Sequence, residues 1–145
     1  MARIPESLLP NPARTARVQA YDVTGPAPEN RDALKIEGSA TKTVRNIVID
    51  HCSLSWAIDE TLSVWGPHDN ITFSNNVFSE ALNQSLHPNG SHGFGVILGP
   101  HPGSSITMVG NLFAHVVEWR SPSFQSGRGL LTLLCLVGIV VVVAR

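Results

Sequence analysis

Three copies of one eight-residue pattern constrain this chain more than anything else in it. Ile47-Val48-Ile49-Asp50-His51-Cys52-Ser53-Leu54 returns as Ile71-Thr72-Phe73-Ser74-Asn75-Asn76-Val77-Phe78, and again as Ile106-Thr107-Met108-Val109-Gly110-Asn111-Leu112-Phe113. Apolar residues hold the same offsets each time: Ile47, Ile71 and Ile106; Ile49, Phe73 and Met108; Leu54, Phe78 and Phe113. A middle position is small or amide-bearing in every copy, as Cys52, Asn76 and Asn111. The first two copies lie 24 residues apart and the last two 35 apart, so the second interval contains an inserted loop. Short β repeats of this kind cannot bury an apolar face alone. They stack on one another, and a parallel β-helix is one way to do so. An ordinary sandwich of similar-looking strands is the plainer alternative, and agreement at several offsets in three copies argues against it.

A second series interleaves with the first: Asp32-Ala33-Leu34-Lys35-Ile36, then Leu62-Ser63-Val64-Trp65-Gly66, then Gly95-Val96-Ile97-Leu98-Gly99. The two series alternate and predict an all-β solenoid of about three turns between residues 31 and 115. A chain of 145 residues makes one domain at most. The expected organisation is an irregular, Pro- and Arg-containing segment over 1–30, the solenoid over 31–123, and an apolar tail over 124–145. A net charge of −1 gives no reason to expect a nucleic-acid partner. Cys52 and Cys135 are the only cysteines, and Cys52 falls on a ladder position, so a buried thiol is expected rather than a disulfide framework. The start of the chain lacks the apolar core of a signal peptide.

Chemistry is suggested where the second series begins. Asp32 precedes Leu34 by two residues and Glu60 precedes Leu62 by two. If the leucines stack, Asp32 and Glu60 are neighbours, with Asp59 beside them. Carboxylates gathered at one corner repel unless a cation or positive side chain lies between them. An all-oxygen set of this kind suits Ca²⁺. The alternative is that each acid caps a turn. The inserted loop, 80–103, carries His87, His92 and His101. Pro88 and Gly90 break any helix between the first two, so their spacing argues against a zinc site and for polar contacts to a ligand. Arg120, before Ser121-Pro122, stands at a strand–loop junction and reads as a carboxylate binder or a surface partner of Glu118.

Three motifs then resemble a known family. Asp50-His51-Cys52-Ser53-Leu54-Ser55-Trp56-Ala57-Ile58-Asp59-Glu60, His87-Pro88-Asn89-Gly90-Ser91-His92, and Asn111 to His115 followed by Arg120-Ser121-Pro122 are similar to DHCSxSWxxDE, HPKGxH and NLFAHxxxRNP. Those belong to a bacterial branch of the pectate lyases of polysaccharide lyase family 1. The resemblance covers about residues 15–123. It implies a right-handed parallel β-helix that cleaves polygalacturonate by Ca²⁺-dependent β-elimination. It further implies metal ligands at Asp32, Asp59 and Glu60, substrate contacts at His87, Asn89 and His92, and a catalytic base at Arg120. It implies a secreted monomer whose partner is an acidic polysaccharide. Ser63 stands where many members carry another acid, Asn89 where the branch has Lys, and Trp119 reads as an insertion before Arg120. Members of the family have further turns on both sides. A non-catalytic β-helix remnant that binds acidic glycan is the alternative from another class. Glycoside hydrolysis on the same fold is a third reading, separated from elimination by the absence of a double bond in the product.

The stretch Leu130 to Ala144 is almost wholly apolar and has no period of two. It is therefore expected to lie outside the solenoid, as the product of a truncated or shifted reading frame. It is shorter than the roughly 20 residues that span a bilayer, and a tail anchor is the second reading.

Overall fold

The computed structural model describes residues 27–99, 101–116, 122–124, 132–137 and 140–142. Strands such as Val44–Asp50 and His68–Ser74 form where β-branched and aromatic residues alternate with polar ones. In chain order they are β1 (Leu34–Glu37), β2 (Val44–Asp50), β3 (Ser53–Ser55), β4 (Glu60–Trp65), β5 (His68–Ser74), β6 (Val77–Ser79), β7 (Phe94–Leu98), β8 (Ser105–Val109), β9 (Leu112–Ala114), β10 (Ser123–Phe124), β11 (Thr132–Val137) and β12 (Val140–Val142). One 3₁₀ turn, Pro28–Asn30, precedes them. No helix among the described residues is long and apolar enough to cross a membrane.

The strands make three sheets ordered β1-β4-β7-β10, β11-β8-β5-β2 and β12-β9-β6-β3. Every pairing is parallel. Each sheet takes every third strand, so three consecutive strands contribute one rung to each sheet. The protein is all-β, and this order is compatible with a β-helix-like solenoid. The sequence repeat is the stacking register. Ile47 pairs with Ile71 and Ile71 with Ile106, Ile49 with Phe73 and Phe73 with Met108. Leu54 pairs with Phe78 and Phe78 with Phe113, and Leu34 with Leu62 and Leu62 with Val96.

Because like residues align, the interior is a set of apolar columns. Ile49, Leu54, Leu62, Phe73, Phe78, Val96, Met108 and Phe113 all lie in one buried cluster. The Phe78 and Phe113 rings stack at 5.1 Å, and Phe73 meets Phe78 edge-on at 6.4 Å. Burying each such side chain is worth roughly 1.5–3 kcal/mol, and the aromatic pairs add to this.

The eight-residue repeat is two strands in each copy, not the single strand its pattern suggests. A left-handed residue splits it: His51 (φ 51°), Asn75 (φ 54°) and Gly110 (φ 64°). The chain bends there and passes into the next sheet. The residue that follows is the amide position noted in the sequence. Asn76 Oδ1 accepts from the buried Cys52 amide at 2.9 Å, and Asn111 Oδ1 accepts from the Asn76 amide at 2.9 Å. Asn76 Nδ2 donates to the Ile49 carbonyl and Asn111 Nδ2 to the Phe73 carbonyl, each at 2.9 Å. This asparagine ladder ties the bend of one rung to the bend of the next through buried side-chain hydrogen bonds. Cys52 is buried, as its ladder position predicts, and its thiol donates to the Asp50 carbonyl at 3.3 Å.

Part of the apolar tail departs from expectation. Thr132–Val137 pairs with Ser105–Val109, and Val140–Val142 with Leu112–Ala114. The tail thus supplies the fourth strand of two sheets rather than lying outside the repeat. A parallel ladder is made by the backbone. An unpaired edge at β8 and β9 accepts any segment of high β propensity, with or without side-chain alternation. Arg120 and Trp119 lie outside the described residues.

Two outcomes follow. Asn76→Ala removes the buried side-chain hydrogen bonds to the Cys52 amide, the Ile49 carbonyl and Asn111 Oδ1, each worth about 1 kcal/mol; urea unfolding should show a loss of roughly 3 kcal/mol. Asp50 accepts from the Ser74 hydroxyl (2.5 Å), from the His51 ring and from Asn75 Nδ2 (3.1 Å). The Ser74 bond first, then His51, holds its carboxyl below the ordinary 3.8, at about 2. A depressed carboxyl contributes stability above its unfolded value that is lost as pH falls from about 3.8 through about 2. Urea midpoints measured across that window should fall in the wild type and less steeply in Asp50→Asn.

Candidate functional site

The outward face of the β1-β4-β7 sheet carries the cleft. Since Leu34, Ile36, Leu62, Val64, Val96 and Leu98 belong to the core, alternation turns Lys35, Trp65 and Ile97 outward. A cleft of about 390 Å³ lies over them, lined also by Glu29, Asn30, Asp32, Asp59, Glu60, His87, Asn89 and His92. The acids come from the chain entering β1 and β4, and the histidines from the loop between β6 and β7. Trp65 packs against Gly99; a Cβ at Gly99 would come within 2.3 Å of the indole.

The Leu34–Leu62 register brings the acids together as the sequence suggests. Asp32, Asp59 and Glu60 each offer an oxygen, and these oxygens lie within 4.8 Å of one another. Asp59 and Glu60 are 8% and 6% exposed. Asp32 is also a clasp between rungs. Its Oδ1 accepts from the Glu60 amide at 3.2 Å, and its Oδ2 from the Ser63 hydroxyl. The Ser63 hydroxyl thus helps to hold Asp32 in place. The ligand and turn-capping readings of Asp32 are compatible, because each carboxylate oxygen has a second lone pair.

The donor chemistry fits a hard cation. Calcium takes oxygen ligands at about 2.3–2.6 Å, and atoms on a sphere of that radius stand at most about 5 Å apart. The three carboxylate oxygens meet that condition where they are.

The histidine loop is pinned at its base. The Leu82 amide donates to the Ala57 carbonyl at 3.0 Å and the His92 amide to the Asn83 carbonyl at 3.0 Å. The His87 and His92 rings stack with centroids 3.6 Å apart and 4° between planes, and His92 Nε2 lies 3.2 Å from Asp59 Oδ1. Burial lowers the His92 pKa and the adjacent His87 lowers it further, against the raising effect of Asp59. Asn89 reaches the same cleft, and its amide donates to His87 Nδ1 at 3.2 Å. His101 is not among the lining residues.

The structure thus gathers Asp32, Asp59, Glu60, His87, Asn89 and His92 around one cleft, while Arg120 lies outside the described residues. Sequence reasoning missed Lys35 and Trp65. The signal was there: Leu34 and Ile36 point inward, so Lys35 between them must face out, and Trp65 is placed likewise next to Val64. Lys35 Nζ now lies 3.3 Å from the exposed Glu37, a surface pair that a ligand could displace cheaply. Comparison of the chain with protein-family models, curated proteins and solved structures yields no match.

Proposed function

We propose that the chain is a right-handed parallel β-helix of pectate-lyase type and that its cleft binds an acidic polysaccharide with Ca²⁺. The reading draws its support from one observation above all: three carboxylates from two successive rungs, their oxygens within 4.8 Å, open into a cleft that also presents histidine, amide and lysine donors. The coils are β1–β3, β4–β6 and β7–β9, with β10–β12 adding a fourth. Right-handedness follows the strong general preference for parallel crossover connections.

In this reading Asp32, Asp59 and Glu60 hold the cation. Bound there, Ca²⁺ neutralises the substrate carboxylate and stabilises the charge that develops on it when the neighbouring proton is lost. Lys35 and Asn89 orient the uronate by donating to its oxygens, and the His87 and His92 rings line the cleft beside them. Trp65 offers an apolar face to the sugar ring. Arg120 removes the C5 proton while the O4 glycan departs, leaving a double bond in the new end. A guanidinium loses its proton only where cations or burial disfavour its charge, so activity belongs at alkaline pH. A β-helix that binds acidic glycan without cleaving it is favoured instead by the Ser63–Asp32 clasp, which occupies a position where the family has a further acid.

The test is ultraviolet absorbance of unsaturated oligogalacturonides released from polygalacturonate by the full chain. Activity should require Ca²⁺, disappear with chelator, and fall by about 10²–10⁴ in Arg120→Ala. Calcium-dependent retention on immobilised polygalacturonate without any double-bond product would establish the binding module. Neither retention nor product would overturn both.

A further inference from the structure

The histidine side of the cleft has a different donor set from the acidic side. His87 is only 5% exposed, and its Nε2 has no hydrogen-bond partner. A buried polar nitrogen left this way costs free energy unless something else satisfies it. Asp59, His87 and His92 each offer a ligand atom, and the three atoms lie within 4.8 Å of one another. The Asp59–His92 separation of 3.2 Å is already that of two ligands sharing one small ion. From these observations we propose that Asp59, His87 and His92 form a second cation site, for a divalent ion of the zinc class, distinct from the oxygen site and sharing Asp59 with it.

Two imidazoles and one carboxylate suit a borderline ion that accepts nitrogen, whereas calcium prefers oxygen throughout. Three protein ligands leave a further position open to the cleft, as in zinc sites that bind water or substrate. The loop achieves this without a helix. The reversal at Gly90, where the Gly90 amide donates to the His87 carbonyl at 3.0 Å, doubles the chain back so that the two rings meet. Binding requires local adjustments. The parallel rings tilt so that both lone pairs converge. The Asn89 amide now donates to His87 Nδ1, which places the ring proton on Nε2. When Nε2 gives its lone pair to the ion, the proton moves to Nδ1 and the Asn89 amide turns away. Asn89 is exposed and follows Pro88 in a loop, so it is able to do so. The amide of Asn89 is therefore a reporter of the site.

The experiment uses the full chain with Co²⁺ as the spectroscopic probe and Zn²⁺ as competitor. Wild type should develop a visible absorption band that saturates with Co²⁺ and is displaced by Zn²⁺, and X-ray absorption of the zinc-loaded protein should show two imidazole ligands. His87→Ala should weaken Zn²⁺ binding by at least about tenfold, while Asp32→Asn should weaken Ca²⁺ and leave the Co²⁺ band. No band at saturating Co²⁺, or a zinc spectrum without imidazole, would overturn the proposal without reference to any variant's folding. Calcium binding without cobalt binding would remove this site and leave the calcium reading intact; the reverse result would do the opposite.

Discussion

The in-register stacking of parallel strands is the constraint on which the rest of this molecule depends. Leu34 over Leu62, Ile71 over Ile106 and Phe78 over Phe113 do more than fill the core. They fix which residue of one rung meets which residue of the next. A slip of one residue would send every apolar side chain of a strand to the opposite face. It would also separate Asp32 from the Glu60 amide and the Ser63 hydroxyl, the contacts that hold the acidic cluster in shape. The asparagine ladder adds side-chain bonds to the backbone bonds that carry this register through the bends.

Packing and site are thus one structure. Leu62 and Val64 point into the core, and the same strand starts at Glu60 and ends at Trp65, both on the cleft. The strand cannot shift to relieve repulsion among Asp32, Asp59 and Glu60 without opening the apolar columns. Charge gathered on a rigid frame is relieved by a counter-ion or by hydrogen bonds. This chain uses hydrogen bonds at Asp32 and a histidine at Asp59.

The sequence carried the register legibly, because stacking aligns like with like and so writes itself as a repeat. Asp32 beside Glu60 followed from aligning Leu34 with Leu62. The bends were less legible. Gly110, Asn75 and, to a lesser degree, His51 and His115 are residue types found at left-handed positions, but Trp56 and Glu80 hold the same conformation with φ of 61° and 53°. Nothing in their chemistry announces it; they are held there by the hydrogen bonds of the rungs around them, such as Trp56 to the Glu80 carbonyl and Glu80 to the Ala114 carbonyl. The meeting of His87 with His92 was hidden for another reason. A loop has no period, so spacing rules drawn from helices say nothing about it. The apolar tail misled because side-chain alternation was demanded of segments whose ladder is a backbone property.

Rung stacking brings Asp32, Asp59 and Glu60 together, and we propose that they hold a cation. This proposal is tested most directly by following backbone amide resonances of the isotopically labelled full chain during a Ca²⁺ titration. The account predicts saturable shifts at the Glu60 amide, bonded to Asp32, and at the Ala33 amide, bonded to the Glu60 carbonyl, with the ladder amides of Cys52 and Asn76 unmoved. Shifts absent at saturating calcium, or spread evenly over exposed carboxylates elsewhere, would contradict it.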